Sequence, residues 1–254
     1  MKKITTLLLV LLLGFVLVAC DAINEYVESI RPEVFAPEVT LAEAEFMAMI
    51  DILDDASVAI SNQRMFDSTF EDRKASGVVV KKTTGQLNQT YYALTSDYAV
   101  KDSLTVTVFV SPTESVTGNV LNPDSLIYES SIKVISFQTN KALEVVELKS
   151  FDEDILSLKS RTIFSIATPI SNAYYNIVTN PASIMGIQGE MIIHGTNLNQ
   201  GTLGSPLYLK ETGELIGINV KYSTTAGGRP EVLINEALFI NHVIEIVESF
   251  LWKR

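Results

Sequence analysis

Cysteine, histidine and net positive charge are the three things this sequence has little of. Across 254 residues there is one cysteine, Cys20, and there are two histidines, His194 and His242. A single cysteine excludes an intramolecular disulfide, and so few imidazoles and thiols leave a His/Cys zinc site almost no ligands, so no metal or cofactor is expected. Lysine and arginine total 19 against 30 aspartates and glutamates, a net charge of −11. That balance excludes a protein that tracks nucleic-acid phosphates along a basic stripe, so no nucleic-acid partner is expected. Charged residues make up only 19% and hydrophobic ones 47%, which excludes wholesale disorder.

Long apolar runs are also scarce, and the one present is N-terminal. Lys2 and Lys3 precede an apolar stretch from Leu7 to Val18 that closes on Leu17-Val18-Ala19-Cys20. Two lysines followed by a short apolar core are the anatomy of a secretory signal, too short and wrongly flanked for a membrane span. The closing four residues resemble a bacterial lipobox. That resemblance implies cleavage after Ala19 and diacylglycerylation of the Cys20 thiol, with membrane lipid as the first partner. Residues 1–19 are then a lipoprotein signal peptide. Losing them removes Lys2 and Lys3 and no acid, taking the net charge from −11 to −13. Two acyl chains suffice for stable anchoring, so the expected location is the outer face of the cell membrane.

Residues 20–39, with Pro32, Pro37 and mixed charge, read as a tether, and the folded domain is expected over 40–254. Thr40-Leu41-Ala42-Glu43 fits a capping box, and Phe46, Met49, Ile50 and Leu53 follow at helical spacing, so a helix is expected over 40–56. Beyond it the pattern changes to short runs rich in Val, Ile, Tyr and Thr with turn residues between them. Strands are expected at 57–60, 77–81, 91–95, 104–110, 132–137, 143–148, 160–167, 176–179, 190–194, 206–210, 215–222 and 237–240. So many short strands imply an all-β barrel or sandwich rather than an alternating α/β fold. Asn241 is placed to cap a final helix with Ile244, Val247 and Leu251 on one face.

Six segments then carry a resemblance. They are Ala75-Ser76-Gly77-Val78-Val79-Val80, Tyr92-Ala93-Leu94-Thr95-Ser96-Asp97-Tyr98-Ala99-Val100, Asp154-Ile155-Leu156-Ser157-Leu158-Lys159, Asn199-Gln200-Gly201-Thr202-Leu203-Gly204-Ser205-Pro206-Leu207, Gly213-Glu214-Leu215-Ile216-Gly217-Ile218-Asn219 and Ala237-Leu238-Phe239-Ile240. In order and spacing they resemble the trypsin-like, chymotrypsin-fold serine proteases, especially the disulfide-free bacterial branch of the high-temperature-requirement type. The resemblance implies two antiparallel six-stranded β-barrels with a cleft between them. The first is expected over 57–159 and the second over 160–241, with an N-terminal helix and a C-terminal helix over 242–254.

In that family a serine attacks, a histidine takes its proton and an aspartate orients the histidine, while backbone N–H groups stabilise the oxyanion. Carried onto this chain, the histidine position falls on Tyr98, the aspartate position on Asp154 and the serine position on Leu203. Gly201 and Gly204 keep two glycines of the oxyanion loop, and the family's next glycine is Ser205. A leucine has no nucleophilic atom and a neutral phenol is a poor base, so the resemblance implies a triad degraded to its aspartate, a pseudoprotease. Asp154 reads plainly as the cap of a turn before its strand; with the fold retained, a hydrogen bond from Tyr98 to Asp154 is expected instead, because a buried unpaired carboxylate is costly. His194 and His242 read as ordinary surface or cap histidines. Three functions stay open. The first is a lipoprotein whose inter-barrel cleft binds peptide or protein without cutting it. The second is an active serine-type endopeptidase with an atypical site, Ser205 being the alternative nucleophile. The third is a structural surface lipoprotein.

Overall fold

The computed structural model describes residues 41–66, 69–85, 89–100, 103–123, 131–168, 175–199, 201–222 and 234–252. The expected signal, Cys20, the expected tether and the expected cap at Thr40 lie outside the described residues. The chain divides between Ala44 and Glu45 into two compact units, and all strands belong to the second.

Helix α1, Leu41–Asp55, starts the described chain. Its expected stripe faces inward: Ile50 and Leu53 are buried, and Phe46 and Met49 pack partly buried beside them. The Phe46 ring meets Phe164 edge-on at 5.3 Å.

Six strands follow: β1 Ser57–Phe66, β2 Thr69–Thr84, β3 Gln89–Ser96, β4 Thr105–Phe109, β5 Ser115–Val120 and β6 Ile132–Thr139. They close into an antiparallel barrel in the order β1-β2-β3-β6-β5-β4. Alternation along β2 explains its unbroken valines. Val79 points into the barrel, while Val78 and Val80 point out into the apolar seam shared with the second barrel. The interior is packed to contact at β5, where a Cβ on Gly118 would lie 2.6 Å from Ile135 Cγ2 and 2.7 Å from Val108 Cγ2.

The second set is β7 Thr162–Ala167, β8 Ile177–Val178, β9 Ala182–Gln188, β10 Met191–His194, β11 Pro206–Leu209, β12 Leu215–Lys221 and β13 Asn235–Phe239. Their order is β11-β12-β13-β10-β9-β7-β8, and the pairing of β11 with β7 closes six of them into a second antiparallel barrel. Short β8 lies outside the ring, against β7. Helix α2, Ile240–Leu251, buries Ile240, Val243, Val247 and Leu251 and packs on β12 and β13 of the second barrel and β6 of the first. The fold is therefore mostly β, two six-stranded antiparallel barrels with one N-terminal and one C-terminal helix.

Three local expectations are corrected. Residues 143–148 form no ladder strand; the segment is held instead by single bonds, Glu144 N to Asp55 O and Val146 N to Val79 O. Strands β5 and β9 were not expected, because Gly118 and Gly186 interrupt their apolar pattern. Asn241 does not cap α2, whose N-cap is Phe239. The Asn241 amide instead clamps the Phe151 backbone, accepting from its N–H at 2.7 Å and donating to its carbonyl at 3.0 Å.

Candidate functional site between the barrels

Strands β2 and β3 of the first barrel meet the 201–205 loop of the second. Ser76 on β2 is the latch. Its N–H donates to Leu203 O at 2.8 Å, its hydroxyl donates to Gly201 O at 2.9 Å, and that hydroxyl accepts from Thr168 N at 2.8 Å. Thr95 on β3 donates to Ser76 O at 2.6 Å. The loop braces itself as well, with Thr202 Oγ1 donating to Asn199 O at 2.6 Å and Ser205 N donating to Thr202 O at 3.1 Å. Gly204 N donates to Asn219 O at 2.7 Å.

Glycine is required at the closest approach. Gly204 has φ +83°, and a Cβ there would fall 2.3 Å from both Ser76 O and Thr95 Oγ1. Gly201 also has a left-handed backbone, φ +93°.

Leu203, the residue that the resemblance aligns with the serine, is 5% exposed. Tyr98 sits partly buried on the single-turn 3-10 helix Asp97–Ala99, with the Arg73 guanidinium 6.0 Å from its ring centroid. Tyr222, just past β12, lies close enough for the two phenols to interact. Burial and then the neighbouring Tyr98 push the Tyr222 phenol above its ordinary range. Asp154 is exposed. Its carboxylate accepts from Leu156 N at 2.9 Å and caps the short 3-10 helix Ile155–Leu158. Among the described residues no hydrogen bond joins it to Tyr98, which corrects that expectation. With no imidazole to pair with, a buried carboxylate would pay full desolvation, and at the surface it caps a helix end instead.

Ser205 is placed differently again. It is fully buried, its hydroxyl 3.0 Å from Ser165 Oγ and 2.9 Å from Asn219 Nδ2. Asn219 also donates to Ser165 Oγ at 3.0 Å, and its Oδ1 is 2.9 Å from His194 Nε2. Thr196 Oγ1 lies 2.8 Å from His194 Nδ1. The tautomer follows: an amide oxygen only accepts, so Nε2 carries the proton and Nδ1 accepts from Thr196. His194 is thus no surface histidine but a fully buried one, and burial lowers its pKa from 6.5 to about 4. His242, by contrast, lies on α2 between Glu190 and Glu245, at 3.0 and 3.1 Å.

Sequence reasoning missed this network. The available signal was polar residues inside apolar strands: Ser165 in Thr162–Ala167, His194 ending Met191–His194, and Asn219 within Leu215–Lys221.

Strand β11 pairs with β12 only as far as Ile218, and the backbone of Asn219 is taken by Gly204 and Ser205. Beyond Asn219, that side of β12 has no partner strand among the described residues. Among those residues, also, no three His, Cys, Asp or Glu side chains come together as a metal-binding group, and no helix is long and apolar enough to cross a membrane.

No protein-family model matches the chain, and no curated protein sequence matches it. The two-barrel architecture itself fits a trypsin-like fold.

Proposed function

We propose that the chain is a lipid-anchored, trypsin-like protease homologue that holds extended peptide or protein between its barrels without cutting it. The observation that carries this reading is the chemistry at the three triad positions. Leu203 offers no nucleophile, Tyr98 no imidazole, and Asp154 is exposed and engaged with Leu156 N. What supports binding is a hydrogen-bonded loop at Gly201–Ser205 and, beside Tyr222, a β12 edge with no partner strand among the described residues. Strand addition uses backbone groups alone, so a ligand can be held there without catalytic side chains.

An active hydrolase built on Ser205 is the weaker reading, because that hydroxyl is fully buried against Ser165 and Asn219 with no imidazole on it. Fluorogenic peptide turnover and fluorophosphonate labelling separate the two. Neither signal is expected from the full chain, and turnover abolished by Ser205→Ala would overturn the reading. The anchoring half rests on Cys20 and its lipobox. The wild-type chain expressed in a lipoprotein-processing bacterium should partition into a detergent phase and Cys20→Ser should not; equal partitioning would remove the anchor.

A further inference from the structure

A groove of about 350 Å³ lies between the end of α1, residues 144–149 and the turn before β12, and it shares no residue with the 201–205 loop. Its floor is apolar, with Leu53, Val146 and Leu215 buried. One wall is tied down from two sides. Glu144 N donates to Asp55 O at the end of α1 at 3.3 Å, and Val146 N donates to Val79 O on β2 at 2.9 Å. A preformed hollow of this size stands at the lower end of small-ligand sites, which hold their occupant by apolar surface and a few placed polar groups.

Charge selects the occupant. Glu144, Glu147 and Glu214 line the groove with Lys149, and among the described residues none of the four makes an ion pair. The carboxylates do not come together as a metal-binding group, so one small cation cannot engage all three at once. Spaced around an apolar floor, they match a ligand that carries its positive charges along an aliphatic chain. A protein partner fits less well. Of the lining side chains only Ile52 and Val145 are apolar and exposed, far less surface than the roughly 800 Å² a stable interface takes from each partner. We infer that the groove binds a free aliphatic polyamine, with methylenes over Leu53, Val146 and Leu215 and ammonium groups toward Glu144, Glu147 and Glu214. A net charge of −11 draws cations of every kind to the chain, and the apolar floor is what singles out one with methylenes. This site does not depend on how the inter-barrel cleft is used.

The test is isothermal titration calorimetry of spermidine, a trication at neutral pH, into the full chain in neutral detergent. Hexaamminecobalt(III) is the comparison, since it has the same charge and N–H donors but no methylenes. Saturable binding of spermidine is expected, at least about tenfold tighter than that of hexaamminecobalt(III). The exposed pair Glu144→Gln with Glu147→Gln should weaken it about tenfold. Thr212→Tyr keeps every charge and fills the groove from an exposed position on its lining, so it should weaken binding at least as much. No saturable binding, equal affinity for hexaamminecobalt(III), or indifference to either variant would each overturn the proposal. So would a lysine-rich peptide that displaces spermidine and binds more tightly, since a protein would then be the occupant.

Discussion

His194 shows how one side chain ties the second barrel to pH. Its ring is enclosed and neutral, bonded to Asn219 and Thr196, and its pKa falls from 6.5 to about 4 because burial opposes the cation. A depressed folded pKa means the unfolded chain takes up the proton first as pH drops. The stabilisation is therefore complete above about pH 6.5 and is lost as pH falls toward 4, a total on the order of 3 kcal/mol. Urea unfolding of wild type and His194→Gln across that window should show the extra slope in wild type alone; parallel profiles would place the histidine outside the barrel. Gly204 makes a second residue-scale demand. With φ +83° and no room for a Cβ beside Ser76 O, Gly204→Ala should cost at least about 2 kcal/mol in the same unfolding experiment. An unchanged midpoint would mean that the barrels are not latched through this loop. Both glycines of the loop were legible in the sequence, because backbone constraints leave a residue type behind. The capping role of Asp154 was legible as one of two readings, but the choice between them was not, since a carboxylate's direction depends on whether an imidazole waits for it.

Among the elements, strands with clean apolar runs were legible and interrupted ones were not. The triple valine of β2 announces a strand buried on both faces, and it is one. In β5, Gly118 is required by the approach of Ile135 and Val108, yet in sequence it reads as a break. The 143–148 segment has the composition of a strand but lacks a neighbour, and composition cannot report a missing neighbour. Helix α2 binds the two barrels through its buried face. Leu251→Ala removes a side chain 3% exposed and should destabilise the whole fold by about 2–4 kcal/mol, whereas exposed Glu248→Ala should change it by less than about 0.5 kcal/mol. Equal effects of the two in thermal or urea unfolding would mean that the helix is not docked.

For the whole molecule, two closed barrels solve the edge problem that so many strands create, because closure leaves few edges unpaired. On the proposed reading, the β12 edge beyond Asn219, which has no partner strand among the described residues, is where a second chain would add. On that reading, a loop braced at Gly201–Ser205 with a leucine at its centre would hold a peptide through many encounters without consuming it. The most direct check is mass spectrometry of a peptide library incubated with the full chain and recovered from it. The expected result is peptides retained intact, with retention lost in Tyr222→Ala, whose side chain flanks the open edge. Peptides recovered as cleaved products that vanish in Ser205→Ala, or no retention at all, would contradict it.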